Sequence, residues 1–335
     1  MANILITGGA GFLGLNIATE LIKNGNDIII IDDLKNSYVA HIKSLIKKHK
    51  KHIRFYKGDV CNKNEMRPVF TENKIDYVLH LAALKYVAES IRKPKKYREN
   101  NIGALNTILD LAEEFNIKKF AFSSTSVVYG NAKEKPFDEN SPIAGLNPYA
   151  KTKCEGEQII EKWQKQSGIS TIIFRFTNPV GANDEYMLGD HSKRKQMQLI
   201  PYIVNCALNN KEIVLRGNNF NTPDGTPVRS YFHVTDLARA VATALANFNK
   251  KFEIYNVGNP RLELSTKQIV TKLKEILGDN VRYSFSKANS QENAIISCDC
   301  DKFRKEFTFE CKKTLDDILL SQINFEKYIS SHFKN

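Results

Sequence analysis

In the first half of the chain the hydrophobic residues fall in short continuous runs. Residues 4–7, 27–31, 53–56, 77–80 and 120–124 are largely apolar without alternation, the pattern of strands buried on both faces. Between them, residues 12–24, 38–49, 63–71 and 102–116 carry the amphipathic spacing of helices with one buried side. Strands that alternate with helices predict right-handed crossovers and a parallel sheet covered on both faces. A helix over 149–167 and a strand over 171–175 continue the series. After residue 178 the regularity ends. Residues 183–198 are polar and read as a loop. A helix over 199–209, a strand over 212–215, a helix over 234–247, a strand over 252–257 and helices over 266–277 and 315–321 follow. The expected organisation is α/β: a large domain over 1–180 and a smaller lobe over 181–335 whose chain partly crosses back onto the first.

Composition narrows the choices without changing this picture. The chain has 335 residues, 42% of them hydrophobic, enough for a sizeable core, and its 26% of charged residues is ordinary for a globular protein. The longest early apolar run, 28–31, is far too short to cross a membrane. The opening MANILITGG lacks the basic, apolar and small-residue regions of a signal peptide, so a cytoplasmic location is expected. Cys61, Cys154, Cys206, Cys298, Cys300 and Cys311 form no Cys-x-x-Cys pair, and no pair of histidines sits near them at zinc spacing. Free thiols are expected, with Cys298 and Cys300 on one face of a strand and no metal. The net charge of +12 suits an anionic ligand or nucleic acid. The lysines, however, are spread along the whole chain, and the densest run, 47–51, reads as the solvated end of a helix. Nucleic acid is therefore not an expected partner.

The chemistry begins at the first strand. Gly9, Gly11 and Gly14 follow it in the pattern G-x-G-x-x-G and open the first helix. Glycines there permit a tight turn, let backbone approach a pyrophosphate and allow close helix–strand packing, while the helix N-terminus attracts the anion. Asp32 ends the second strand, where a carboxylate accepts from an adenosine ribose and repels a 2′-phosphate, which favours NAD over NADP. Tyr149 and Lys153 lie four apart, on one face of a helix that Asn147 can cap and Pro148 can start. An ammonium near a phenol favours the phenolate, so this pair is a candidate acid–base. Hydroxyl-bearing residues 123–126 end the fifth strand, where ligands bind in open parallel sheets.

In this order and spacing the chain resembles the extended short-chain dehydrogenase/reductase superfamily. The resemblance implies a Rossmann-type doubly wound sheet, NAD as cofactor, and Thr125, Tyr149 and Lys153 as the catalytic set. It implies cofactor contacts from Gly8, Gly11, Phe12, Leu13 and Gly14, from Asp32, Asn36 and Ser37, from Asp59 and Val60, and from Leu81, Ala82, Ala83, Lys85 and Asn100, besides Tyr149 and Lys153. Segments 32–37, 80–90, 175–182 and 224–234 are similar to its UDP-glucose 4-epimerase branch. That likeness implies NAD-dependent epimerisation at C4 of a UDP-hexose through a 4-keto sugar. Lys85, Thr125, Tyr149, Asn178, Gln198, Leu199, Arg216, Arg229, Asn289 and Glu292 would take the substrate, and a homodimer is the common assembly. Sugar-nucleotide 4,6-dehydratases need an acid and a carboxylate base after the catalytic Thr, and Ser126 and Val127 can be neither.

Some positions depart from the branch. Phe176-Thr177 stands for Tyr-Phe, Gln198 for Asn, Arg216 for an aromatic and Ser230 for Asp. Asn289 stands for a phosphate-binding arginine and Glu292 for an aspartate, with Lys287 two residues from the former. Ile296 occupies the place that sets room for a 2-acetamido group, and its branched side chain disfavours N-acetylhexosamines. These changes keep a second reading in view, an epimerase or reductase on another nucleotide sugar. A third, a non-catalytic NAD- or RNA-binding relative, would account for the charge, but the intact Thr125, Tyr149 and Lys153 count against it.

Overall fold

The structure, a computed structural model, describes residues 1–130, 136–193, 198–287 and 293–333. The N-terminal part runs β1 (Asn3–Thr7), α1 (Phe12–Lys23), β2 (Asp27–Asp32), α2 (Val39–His49), β3 (Ile53–Lys57), α3 (Lys63–Thr71), β4 (Tyr77–His80), α4 (Val87–Arg92), α5 (Pro94–Glu114), β5 (Lys119–Thr125), α6 (Pro148–Ser167) and β6 (Ser170–Phe176). The C-terminal part supplies β7 (Asn178–Val180), α7 (Leu199–Leu208), β8 (Ile213–Arg216), β9 (Val228–His233), α8 (Val234–Asn247), β10 (Phe252–Val257), β11 (Glu263–Ser265), α9 (Thr266–Leu277), β12 (Tyr283–Ser286), β13 (Ile295–Ile296), α10 (Asp301–Glu306) and α11 (Leu315–His332).

Seven parallel strands form the large sheet in the order β10-β6-β5-β4-β1-β2-β3. This is the Rossmann-type doubly wound arrangement, in which the strand order reverses between β1 and β4. The continuous apolar runs follow from burial on both sides. Ile4, Ile6, Ile28 and Ile30 join one core with α1 and α8, while Leu5, Ile29 and Ile31 point into a second with α3, α5 and α6. The crossing back is substantial: β10 completes the sheet edge beside β6, and α8 packs on α1.

The remaining C-terminal elements build a smaller lobe with its own core from α7, α9 and α11. Its β9 pairs antiparallel with β11 and parallel with β13 and β7, and β12 lies parallel to β8. Three expectations need correction. α5 begins at Pro94, well before residue 102, because its first turns are solvated and show no apolar stripe; Tyr97 is the one apolar residue buried there. α11 runs on to His332 for the full length of its apolar face. Cys298 and Cys300 share no strand: Cys298 forms an isolated bridge with Phe137, and Cys300 begins α10. All six cysteines are free thiols. Among the described residues, no helix is long and apolar enough to cross a membrane, and no cluster of His, Cys, Asp or Glu could hold a metal.

Candidate active site

A cleft of about 1230 Å³ opens where β1, β2, β4, β5 and β6 end. It is walled on the far side by the smaller lobe. Every residue expected at a site lines it, with the exceptions of Asn289 and Glu292, which lie outside the described residues.

The glycine turn sits at the reversal of strand order. Gly8 has φ +65°, and a Cβ there would lie 2.8 Å from the Ala82 backbone, so only glycine lets the loops after β1 and β4 meet. Gly9 lies behind the cleft wall: a Cβ on Gly14 would come within 2.5 Å of the Gly9 Cα, which presses α1 onto the turn. Gly11 is the N-cap of α1, which has no side-chain cap and no acidic residue in its first turn. Its first backbone N–H groups therefore face the cleft without a side-chain acceptor, as a diphosphate requires. Asp32 accepts from the backbone N–H of Ala10 at 3.2 Å and of Leu34 at 2.9 Å. Its burial raises the carboxyl pKa against those bonds. Lys35 bridges Asp33 at 3.0 Å and Asp59 at 2.9 Å. Burial pushes Asp59 up, yet the Lys35 ammonium and the Cys61 N–H outweigh it and hold the carboxyl below its ordinary value. Uncapped helix, glycine contacts and a fixed carboxylate together fit a dinucleotide with a free ribose 2′-hydroxyl.

Deeper in the cleft, α6 brings Tyr149 and Lys153 to the end of β5. The helix begins as its sequence suggests: the Asn147 side chain accepts from Ala150 N–H at 2.9 Å, and Pro148 takes the first position. Thr125 is the last residue of β5, and its hydroxyl accepts from Val127 N–H at 3.4 Å. Lys153 is buried, donates to the Ser123 carbonyl at 2.6 Å and lies 4.6 Å from the Phe122 ring centre. Burial lowers its pKa to about 8, with Glu157 opposing the fall. Burial raises the Tyr149 phenol to about 12, and only the Thr125 hydroxyl pulls against it. In the protein alone the Lys153 ammonium donates to the Ser123 carbonyl, and burial outweighs the Thr125 hydroxyl to keep the Tyr149 phenol above its ordinary value.

From the other side, Asn178 donates to Ser230 O at 3.0 Å, Gln198 and Leu199 start α7, and the half-buried Arg229 donates to Val228 O at 2.8 Å and Ala294 O at 3.3 Å. Arg216 is exposed at the end of β8, and Ile296 is buried in the wall. Lining residues not foreseen include Tyr86, Asp190, His191, Tyr202 and Tyr231. Asp190 pairs with Lys85 at 3.2 Å. Burial would lower the Lys85 pKa, but Asp190 and the Tyr86 phenol hold it above its ordinary value. No spacing signal marks Asp190 in the sequence; the polar segment around it reads only as loop.

A Rossmann-type sheet with an uncapped glycine turn and a Tyr-x-x-x-Lys helix defines a nucleotide-dependent enzyme of the short-chain dehydrogenase kind. The NAD dependent epimerase/dehydratase family matches residues 4–258, and the chain belongs to this family. The UDP-glucose 4-epimerase of Yersinia enterocolitica is 32% identical over 328 residues, which cover 97% of each chain. The UDP-glucose 4-epimerase of Dictyostelium discoideum is 34% identical over 94% of this chain and 93% of its own. Among solved structures, UDP-glucose 4-epimerase from Bifidobacterium longum in complex with NAD+ and UDP superposes with a TM-score of 0.92, at 33% identity over 97% of this chain and 98% of the other.

Proposed function

We propose that this protein is an NAD-dependent epimerase that interconverts UDP-glucose and UDP-galactose at C4 through a 4-keto sugar. The observation that carries the reading is one continuous cleft holding the uncapped glycine turn at one end and Thr125, Tyr149 and Lys153 at the other. Bound NAD supplies a hydride acceptor and, after the sugar has turned, a hydride donor. The chain supplies everything else. Tyr149 takes the proton of the 4-hydroxyl and returns it, and Thr125 holds the same oxygen. Lys153 binds the nicotinamide ribose and adds positive charge beside the phenol. Asp32 selects the free ribose, Gly8 and Gly11 to Gly14 take the pyrophosphate, and Asn36, Ser37, Asp59, Val60, the 81–83 loop, Lys85 and Asn100 complete that end of the site. Asn178, Gln198, Leu199 and Arg229 receive the sugar nucleotide, the arginine fork suiting a diphosphate. No net oxidation occurs, so the cofactor is retained between turnovers. A homodimer and a cytoplasmic location complete the proposal; free thiols suit a reducing compartment.

Arg216 at the cleft edge supports a second reading, the same chemistry on a sugar carried by another nucleotide. A panel of nucleotide sugars separates the two. Purified protein without added NAD is expected to convert UDP-galactose to its C4 epimer, and to act much less on UDP-N-acetylgalactosamine because Ile296 fills the wall. Absence of turnover on any UDP-hexose, with turnover on another nucleotide sugar, selects the second reading.

A further inference from the structure

A buried polar chain lies directly beneath the proposed catalytic groups. Glu157 is one helical turn beyond Lys153 on α6, 4% exposed, and receives the Ser124 hydroxyl from the end of β5. Arg175 of β6, 3% exposed, grips the same carboxylate through Nε at 3.1 and 3.2 Å and through Nη2 at 2.7 Å. Its Nη1 donates to the Tyr129 hydroxyl at 2.9 Å, which in turn donates to Asn256 of β10 at 2.6 Å. Neighbouring residues of β5 are thus tied to neighbouring turns of α6: Ser123 to Lys153 and Ser124 to Glu157. Stability alone does not call for this arrangement, since apolar residues of similar volume commonly serve a core as well as a buried ion pair. What an ion pair adds is a fixed geometry, and this one is fixed next to Thr125.

We propose that Glu157, clamped by Arg175, is a positioning residue that locks α6 to the end of β5 and so sets the separation of Thr125, Tyr149 and Lys153. The inference rests on the proton-transfer roles proposed above. The titratable groups that act on or are acted on by Lys153 are Glu157 from its own helix and His80 from β4, with Arg175 of β6 behind Glu157. Glu157 is the group that holds the ammonium up, so a neutral residue there lowers the Lys153 pKa further.

The test compares Glu157→Gln and Ser124→Ala with Tyr149→Phe, all purified with their NAD. Ser124→Ala leaves the ion pair intact and decides the matter should Glu157→Gln not fold. Both are expected to lose about tenfold to a hundredfold in kcat, the scale of a misplaced reacting group, with KM for UDP-galactose and bound NAD nearly unchanged. In Glu157→Gln the alkaline limb of kcat moves to lower pH, whereas in Ser124→Ala it stays. Amide hydrogen exchange over 123–127 and 149–153 quickens in both. Wild-type kcat, pH profile and exchange in both variants, with Tyr149→Phe inactive, overturns the positioning role and leaves the proton carrier standing. A fully active Tyr149→Phe removes the proton reading itself. A rise in KM at unchanged kcat assigns the pair to binding and also overturns the proposal.

Discussion

Tyr149 and Lys153 sit in the cleft with their pKa values pushed apart by the same cause, removal from water. The phenol rises to about 12 and the ammonium falls to about 8. A phenol at that value is a poor base at neutral pH, so it needs positive charge close by, and the oxidised nicotinamide ring is cationic. Tyr149→Phe is expected to lower turnover by about two to four orders of magnitude, read as kcat with UDP-galactose. The charge on Lys153 is present below pH 8 and lost above it. The kcat profile should therefore fall on the alkaline side near that pH, measured with cofactor saturating. The Tyr-x-x-x-Lys spacing was readable from the chain because a helix turns every 3.6 residues. The turning of Lys153 to the Ser123 carbonyl was not, since that contact joins residues thirty apart in sequence.

At the level of elements, the site depends on how two helices begin. α1 starts bare, leaving donors for a ligand, and α6 starts capped, which holds its first turn and Tyr149 in place. Asn147→Ala removes a cap and is expected to cost about 1 kcal/mol in urea unfolding and to lower kcat, because the turn that carries Tyr149 loosens. Gly14→Ala drives a methyl group into the Gly9 backbone and should cost about 1–3 kcal/mol, with loss of co-purified NAD. Elements with a full apolar period were legible: β1 to β6, α1 to α3, α6, and α7 to α9. The short ones carry no readable pattern. β7, β11 and β13 hold two or three residues each, too few for a pattern, and exist because β9 offers them an edge. The start of α5 was hidden because its exposed turns carry charge on most sides.

On the scale of the molecule, three histidines are buried in different parts of the fold. Burial lowers His80 to about 3 and both His41 and His233 to about 4. The unfolded chain takes up these protons from pH 6.5 downward, while the folded protein does not until roughly pH 3 to 4. Stability is therefore greatest above pH 6.5 and falls through that window, each histidine contributing up to about 1.4 kcal/mol per pH unit. Urea midpoints at pH 7, 6 and 5 should fall progressively, and replacing His233 with a neutral residue that keeps its cap should flatten the decline. The sequence indicated that the chain would cross back, but not that both α8 and β10 belong to the large sheet's layers. Amphipathic period says that an element is buried, not which neighbour buries it.

The late arrival of β10 bears on how the protein is made. A ribosome releases the first 180 residues well before residues 252–257, so the nascent chain holds β6 as an open edge with unpaired backbone groups and an uncovered apolar flank. Such edges recruit other chains. Newly synthesised copies are thus exposed to aggregation until about three-quarters of the polypeptide has emerged, and a fragment truncated near residue 180 should precipitate or bind holdase chaperones while the whole chain stays clear of them.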